Sequence, residues 1–151
     1  MIKEDWNNKE AVLEAVKENS YSLEYASEEL RNDREVMIAA IKQDGFALQF
    51  ASEELCNDKE VVLAAVKANG YALKFASKEL RNDREVMLEA VKEKGYVLKW
   101  TSEEFRWVSE EFRYDKDVVL AAVKQDPDAL FFASKELQED KDILKACLKE
   151  D

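Results

Sequence analysis

Acidic residues recur in pairs along this chain, and paired carboxylates can serve acid–base chemistry or bind a cation. The segments compared with a cation-binding loop are Asn32-Asp33 and Asn82-Asp83, in which only the second residue is acidic. A calcium loop needs several oxygen ligands and a glycine turn within one short segment, which these positions do not supply. Because Asp and Asn are favoured helix-capping residues, we interpret them as caps. We predict no metal site and no bound cofactor.

The chain contains no histidine, so neither a Ser-His-Asp nor a Cys-His set can form. Only three glycines occur, and they do not form a loop that could cradle a phosphate. Histidine-based nucleophile sets and a glycine-rich phosphate loop are therefore missing. We predict that the protein is not an enzyme and has no catalytic residues.

A basic residue recurs one position after each capping residue, and such a strip could bind an anion. The residues are Lys9, Arg34, Lys59, Arg84, Lys116 and Lys141. A cation at a helix start opposes the helix dipole, so some partner should offset it. Glutamates recur just upstream and are the expected partners: Glu29, Glu54, Glu79, Glu111 and Glu136. We favour a solvated ion-pair ladder over an anion site.

Composition and charge narrow the class of protein and of partner. The net charge of −11 disfavours nucleic acid, whose backbone is also negative. No run of about 18 apolar residues is present to span a membrane, and Met1–Trp6 lacks the apolar stretch of a signal peptide. Cys56 and Cys147 form no CxxC pair, and we interpret them as unpaired thiols, unless the fold brings them together. We expect an intracellular, cytoplasmic protein without nucleic acid or membrane partners.

A block of 25 residues repeats along the chain and positions all of these residues. Copies begin near residues 8, 33, 58, 83, 115 and 140, so the step from 83 to 115 is seven residues too long. A short fixed period indicates supersecondary units that bury their cores by stacking on one another. We predict one domain over residues 1–151, with the two terminal pieces acting as caps.

The first half of each copy predicts a helix. In the copy from residue 58, Asn57 or Asp58 can cap it, and Val61–Val66 is apolar almost all round, which predicts a helix covered on several sides. A lysine near the helix end suits the negative pole of its dipole. This position holds Lys17, Lys42, Lys67, Lys92, Lys124 and Lys149. The break that follows holds Ser20, Gly45, Gly70, Gly95 and Pro127, where glycine fits a left-handed helix stop.

The second half predicts a shorter helix, in which a recurring serine is placed to cap a final turn. Each of these helices carries two aromatic residues, four positions apart. The pairs are Tyr21 and Tyr25, Phe46 and Phe50, Tyr71 and Phe75, and Tyr96 and Trp100. Four apart means one helix face. We interpret this stripe as the core between repeats, with a ligand-binding ladder as the alternative. The predicted fold class is all-α: an α-solenoid of five helix pairs plus a terminal helix.

The segment Glu60–Asp83 reads EVVLAAVKANGYALKFASKELRND and resembles the helical repeat of DUF4116, a family of unknown function found largely in protists and large viruses. The resemblance covers nearly all of residues 8–148. It departs at Thr101–Tyr114 and at Pro127-Asp128. It implies a helical-repeat fold, and it carries no catalytic residues because the family has no assigned activity.

The long step arises near residues 102–114 from a tandem copy of seven residues, SEEFRWV at 102–108 followed by SEEFRYD at 109–115. Seven residues are about two helical turns, so either the second helix extends from Tyr96 to about Arg113 or a loop bulges from the stack. Aromatic residues and arginine are enriched at binding hot spots. The candidate partner-binding residues are Trp100, Phe105, Trp107, Phe112 and Tyr114. The alternative is that these side chains pack back on the solenoid.

For function, the sequence predicts a non-catalytic scaffold that binds a protein or peptide. Positions that vary between repeats are free to contact a ligand: Glu24, Gln49, Lys74, Lys99 and Phe131 at one position, and Glu28, Glu53, Lys78, Glu103 and Lys135 at another. One alternative is a structural repeat protein that self-associates end to end. Because the second and third copies share 15 of 25 residues, a consensus-designed array without a natural ligand is a third.

Overall fold

Six long helices form one layer of the computed structural model, which describes residues 5–148. They are α1 (Lys9–Glu18), α2 (Arg34–Gln43), α3 (Lys59–Ala68), α4 (Arg84–Glu93), α5 (Lys116–Gln125) and α6 (Lys141–Cys147). Each begins after a capping side chain, as at Asp58, whose carboxylate accepts a hydrogen bond from the Val61 amide. The predicted caps are therefore confirmed, and Lys149 lies outside the described residues.

The second half of each repeat differs from the predicted single short helix. In four of the five repeats it consists of a 3-10 helix followed, after two residues, by a one-turn α-helix. The 3-10 helices are Ser20–Tyr25, Gly45–Phe50, Gly70–Phe75, Gly95–Thr101 and Pro127–Phe132, and the one-turn helices are Glu28–Arg31, Glu53–Cys56, Lys78–Arg81 and Lys135–Gln138. The serine between them caps the one-turn helix, as predicted; the Ser77 hydroxyl accepts from the Leu80 amide.

Each long helix packs against the long helices before and after it and against the 3-10 helices of its own and the preceding repeat. In α2 the buried positions are Val36, Met37, Ala40 and Ile41, which lie on one face of the helix. The same positions are buried in α3, α4 and α5. The described residues contain no strand. The all-α repeat solenoid is confirmed.

The recurring break between the two halves has a different cause from the one predicted. None of the three glycines has a positive φ, so the left-handed helix stop is wrong. Glycine is needed because the next repeat packs too closely for a side chain. A Cβ on Gly70 would lie 2.5 Å from the Ala90 carbonyl oxygen, which is far inside van der Waals contact.

The aromatic residues pair between repeats rather than along one helix. Tyr21 packs against Phe50, Phe46 against Phe75, and Tyr96 against Phe132, with ring centroids 5.4–6.0 Å apart. A 3-10 helix has three residues per turn, so residues four apart do not share a face. The first aromatic of one repeat instead meets the second aromatic of the next, on the side of the stack formed by the 3-10 helices.

An ion-pair ladder joins the starts of the long helices, but its acidic partners differ from those predicted. Five of the six cations, all but Lys141 in the last helix, reach forward to the capping Asp of the next repeat and to the acid two residues beyond. Lys59, for example, lies 3.0 Å from Asp83 and 2.7 Å from Glu85, and these hydrogen bonds, Glu85 first, raise the pKa of the lysine. The upstream glutamates proposed as partners, such as Glu79, do not take part. The ladder therefore connects the start of each of these long helices to the start of the next.

Candidate functional site: the insertion loop and the outer helix face

The seven extra residues form a loop and do not lengthen a helix. The 3-10 helix ends at Thr101, a turn covers Ser102–Phe105, and a second 3-10 helix, Glu110–Tyr114, leads into α5. We call residues 102–108 the insertion loop. Its base is closed by backbone hydrogen bonds from the Trp107 and Val108 amides to the Trp100 carbonyl. Of the two alternatives left open by the sequence, the structure has the loop.

The second copy of the duplicated heptad fills the regular positions of the repeat. Phe112 is 7% exposed and occupies the place that Leu80 has in the preceding repeat, three residues after the capping serine. The Ser134 amide donates to the Arg113 carbonyl, as the Ser77 amide donates to the Cys56 carbonyl two repeats earlier. The first copy is therefore the surplus one, and it is displaced from the stack.

An aromatic cluster holds the insertion loop against the 3-10 helices. The Trp107 ring lies 5.3 Å from the Trp100 ring and 5.6 Å from the Phe105 ring. Trp100 also contacts Tyr71 of the preceding repeat at 6.1 Å. The Lys99 ammonium lies 4.8 Å from the centroid of the Phe105 ring, within the range of a cation–π interaction. The loop thus has a fixed aromatic base.

The five residues predicted to bind a partner fall into two groups. Trp100 and Phe112 are buried, and Phe105 is half-buried against the core. Trp107 is 39% exposed and Tyr114 is 65% exposed. The structure brings Trp100, Phe105 and Trp107 together in one cluster. Tyr114 stands on the second 3-10 helix, just before the cap of α5, so only part of the predicted set is available to a partner.

Arg106, at the tip of the insertion loop, is a feature that the sequence did not predict. Its φ is 45°, and no other non-glycine residue among residues 5–148 has a positive φ. Side chains other than glycine are disfavoured there. The side chain is exposed and lines a cavity of about 270 Å³ with Thr101, Glu103, Val108 and Glu110. Its counterpart Arg113 has the same sequence context, so no local signal distinguished the two.

The two sets of residues that vary between repeats lie on different elements. The first set lies on the 3-10 helices. The second lies on the one-turn helices, except for Glu103 in the insertion loop. Phe131 is 80% exposed. The Lys74 ammonium lies 4.9 Å from the centroid of the Phe75 ring and 5.4 Å from that of Phe46. Lys74 thus covers the pair formed by Phe46 and Phe75. Part of the variable surface is therefore occupied by contacts within the stack.

The family relationship follows from the repeat pattern. The family described as a domain of unknown function (DUF4116) matches residues 8–56, 34–81, 58–113, 105–138 and 115–151. The chain belongs to the DUF4116 family. The resemblance stated from Glu60–Asp83 is confirmed. The matches 58–113 and 105–138 overlap in the region of the duplicated heptad, where the DUF4116 period is broken. No curated protein and no solved structure matches the chain at a significant level.

The outer face of the long helices is a second surface, and sequence reasoning missed it. These DUF4116 helices were expected to be covered on several sides, but one face of each stays open. Half-buried aliphatic side chains form a row along it: Leu13, Ile38, Leu63, Leu88 and Leu120. A groove of about 1040 Å³ runs between α1 and α2, and one of about 470 Å³ between α4 and α5. The recurrence of an aliphatic residue five positions after each cap was the available signal.

Several other features of the DUF4116 array bear on chemistry. Cys56 and Cys147 are unpaired, and burial raises the pKa of both thiols. Within residues 5–148, no group of three or more Cys, Asp or Glu side chains is arranged to hold a metal ion. No helix in the described part of the chain is long and apolar enough to cross a membrane.

Proposed function

We propose that this protein is a non-catalytic helical-repeat scaffold that binds a protein partner through its insertion loop. The observation that carries the proposal is that the loop is surplus to the stack, since the second heptad copy already fills the regular positions. A segment that lies outside the repeat pattern, is anchored by buried Val108 and presents exposed Trp107 and Arg106 is suited to recognition. Tryptophan, tyrosine and arginine are the residues most enriched at binding hot spots.

Within this proposal the five predicted residues have different roles. Trp107 and Tyr114 supply exposed aromatic area for the partner, while Trp100 and Phe105 hold Trp107 in place from below. Phe112 anchors the second heptad copy in the core and does not contact the partner itself. A base that holds its anchors in advance reduces the entropy that binding would otherwise cost.

We further propose that the protein is not an enzyme and that it is located inside the cell. A chain without histidine has few means to move protons near neutral pH, which supports a binding function over an enzymatic one. Two unpaired thiols are typical of proteins kept in a reducing compartment. Because the net charge is −11, we do not propose nucleic acid as the partner.

The decisive experiment deletes residues 102–108, which joins Thr101 to Ser109 and restores the 25-residue period. We expect the deletion variant to keep its helical circular dichroism and a cooperative melt. Proteins captured from a native lysate by the wild-type chain should be lost with the deletion variant and with Trp107→Ala. Identical captured sets from the three proteins would contradict the proposal.

Sedimentation across a concentration series tests the alternative function, in which the chain associates with copies of itself. The wild-type chain should remain a monomer. A dimer that disappears on deletion of residues 102–108 would make a second copy of the chain the occupant of the loop, and a dimer that persists would place self-association elsewhere on the stack.

A further inference from the structure

The outer face of α2 and α3 differs from that of their neighbours in a way that defines a separate site. We call Ile38, Ala39, Lys42, Leu63, Ala64 and Lys67 the central patch. In each helix these residues lie on the face that points away from the buried positions. Where α2 and α3 have Ala39 and Ala64, the flanking helices α1 and α4 have Glu14 and Glu89. The patch is therefore more apolar than the surface on either side of it.

The alanines also leave the nearby lysines without the carboxylate partner that their counterparts have on α1 and α4. In α1, Lys17 lies 2.7 Å from Glu14, and in α4, Lys92 lies 3.3 Å from Glu89. Lys42 and Lys67 occupy the same helical position but have alanine three residues before them. Among residues 5–148, no carboxylate lies within ion-pair distance of either ammonium group. Two uncompensated positive charges thus border the central patch.

The carboxylates on the opposite border of the patch already have cationic partners, although each of these cations is shared between two carboxylates. Glu35 pairs with Lys9 at 2.7 Å, and Glu60 pairs with Arg34, both through the ladder between repeats. The border of the patch that carries Lys42 and Lys67 is therefore positive, while the ladder border and the whole chain are acidic. Charges more than about 8 Å away are largely screened at physiological ionic strength, so the local lysines dominate at contact distance.

We propose that the central patch binds an acidic amphipathic helix. Its apolar side chains would cover Ile38 and Leu63, and its carboxylates would pair with Lys42 and Lys67. Packed helices such as α2 and α3 have axes about 8–10 Å apart. In a helix that crosses them, side chains seven residues apart share a face and lie about 10.5 Å apart. Carboxylates with heptad spacing therefore match the two lysines, in the manner of a helix in a groove.

This site shares with the proposed function the premise that the array is a binding scaffold, but it uses a different layer of the stack. The central patch is on the long helices of the second and third repeats, while the insertion loop belongs to the 3-10 layer of the fourth. The variant lacking residues 102–108 should therefore bind the acidic helix unchanged, which makes failure of one proposal distinguishable from failure of the other.

The test uses a synthetic helical peptide of three heptads with leucine on one face and glutamate along its flank, and a control peptide in which lysine replaces each glutamate. Isoleucine methyl resonances report the location of binding. Ile38 lies in the central patch and is half-buried, whereas Ile41 is buried beneath it and Ile143 lies in the last helix. We expect the acidic peptide to shift the Ile38 methyl signal and leave Ile143 unchanged, and the basic peptide to shift neither.

Matched charge reversals identify the lysines that matter. Lys42→Glu with Lys67→Glu should weaken binding of the acidic peptide about tenfold, because two exposed ion pairs become repulsive. Lys17→Glu with Lys92→Glu makes the same change in net charge on neighbouring helices and should weaken it less than about twofold. Equal losses in the two variants would overturn the proposal, as would equal binding of the basic peptide. An Ile38 shift that depends on protein concentration without peptide would assign the patch to a second copy and overturn it as well.

Discussion

The third repeat and the interrupted fourth repeat solve the same packing problem with segments of different length. In the third, six residues lead from Ser77 to Asn82 through the one-turn helix capped by Ser77. In the fourth, the corresponding segment runs from Ser109 to Tyr114, and Phe112 replaces the leucine in the core. The extra heptad is inserted before this segment and folds out as a loop. Of two nearly identical heptads, the second therefore packs at the regular positions of the repeat, and the first forms the insertion loop.

The largest effect should come from testing which heptad belongs to the core. Phe112 is buried and Phe105, its counterpart in the first copy, is only half-buried. We expect Phe112→Ala to lower the free energy of unfolding by about 3–5 kcal/mol, because it leaves a cavity in the core. Phe105→Ala should cost much less. Urea denaturation of both variants checks this, and a larger loss at Phe105 would reverse our assignment of the two copies.

The next effect concerns a contact that the two repeats share. Gly70 and Gly95 each face a backbone carbonyl of the following repeat, and an added Cβ would lie 2.5 Å from the Ala90 oxygen and 2.1 Å from the Ala122 oxygen respectively. Alanine at either position should cost about 1–3 kcal/mol, since the repeats must move apart. Ser20, which fills the same position in the first repeat, provides the control: Ser20→Ala should be close to neutral. A harmless Gly95→Ala would show that the interruption loosens this contact.

A smaller effect separates the two arginines of the duplicated heptad. Arg106 has φ 45°, whereas the Arg113 guanidinium donates from Nε to the Phe132 carbonyl at 3.0 Å. Arg106→Gly should stabilise the protein by about 0.5 kcal/mol, because relief of backbone strain exceeds the added entropy of the unfolded chain. Arg113→Gly should destabilise it by about 1–2 kcal/mol through the lost hydrogen bond. Thermal melts of the two variants should therefore shift in opposite directions.

The 25-residue period was sufficient to predict the helix caps and the stacked array, because Asp58 and its counterparts act within one helix turn. It could not predict what depends on the next repeat. The close approach of Gly70 to Ala90, the pairing of Lys59 with Glu85 and the aromatic pairs all join residues about one repeat apart. The choice between Phe105 and Phe112 was equally hidden, since the two heptads have the same local pattern and only the stack distinguishes them.

The smallest effect concerns the ion pair of the ladder that spans the insertion, between Arg84 and Asp115. Arg84 reaches Asp115 with Nε at 2.7 Å from one carboxylate oxygen, and these hydrogen bonds, more than the opposing desolvation, lower the pKa of Asp115. A carboxyl with a lowered pKa in the folded state contributes stability above its ordinary value of 3.8 and loses it as the pH falls through the folded value. Asp115→Asn keeps a capping oxygen but cannot ionise, so its stability should fall less steeply than that of the wild type between about pH 5 and pH 3.

The ion pair between Lys59 and Asp83, which joins two uninterrupted repeats, offers the matched variant for this prediction. Asp83 accepts one hydrogen bond from Lys59 at 3.0 Å, whereas Asp115 accepts two from Arg84, at 2.7 and 3.2 Å. Desolvation opposes the lowering of the Asp83 pKa, which its hydrogen bonds bring about. Asp83→Asn should therefore flatten the pH dependence less than Asp115→Asn. Urea denaturation at a series of pH values measures both slopes. If the two variants gave equal slopes, the arginine ion pair across the insertion would be no stronger than the lysine ion pair of a regular repeat, and the insertion would be tolerated without reinforcement of the helix register.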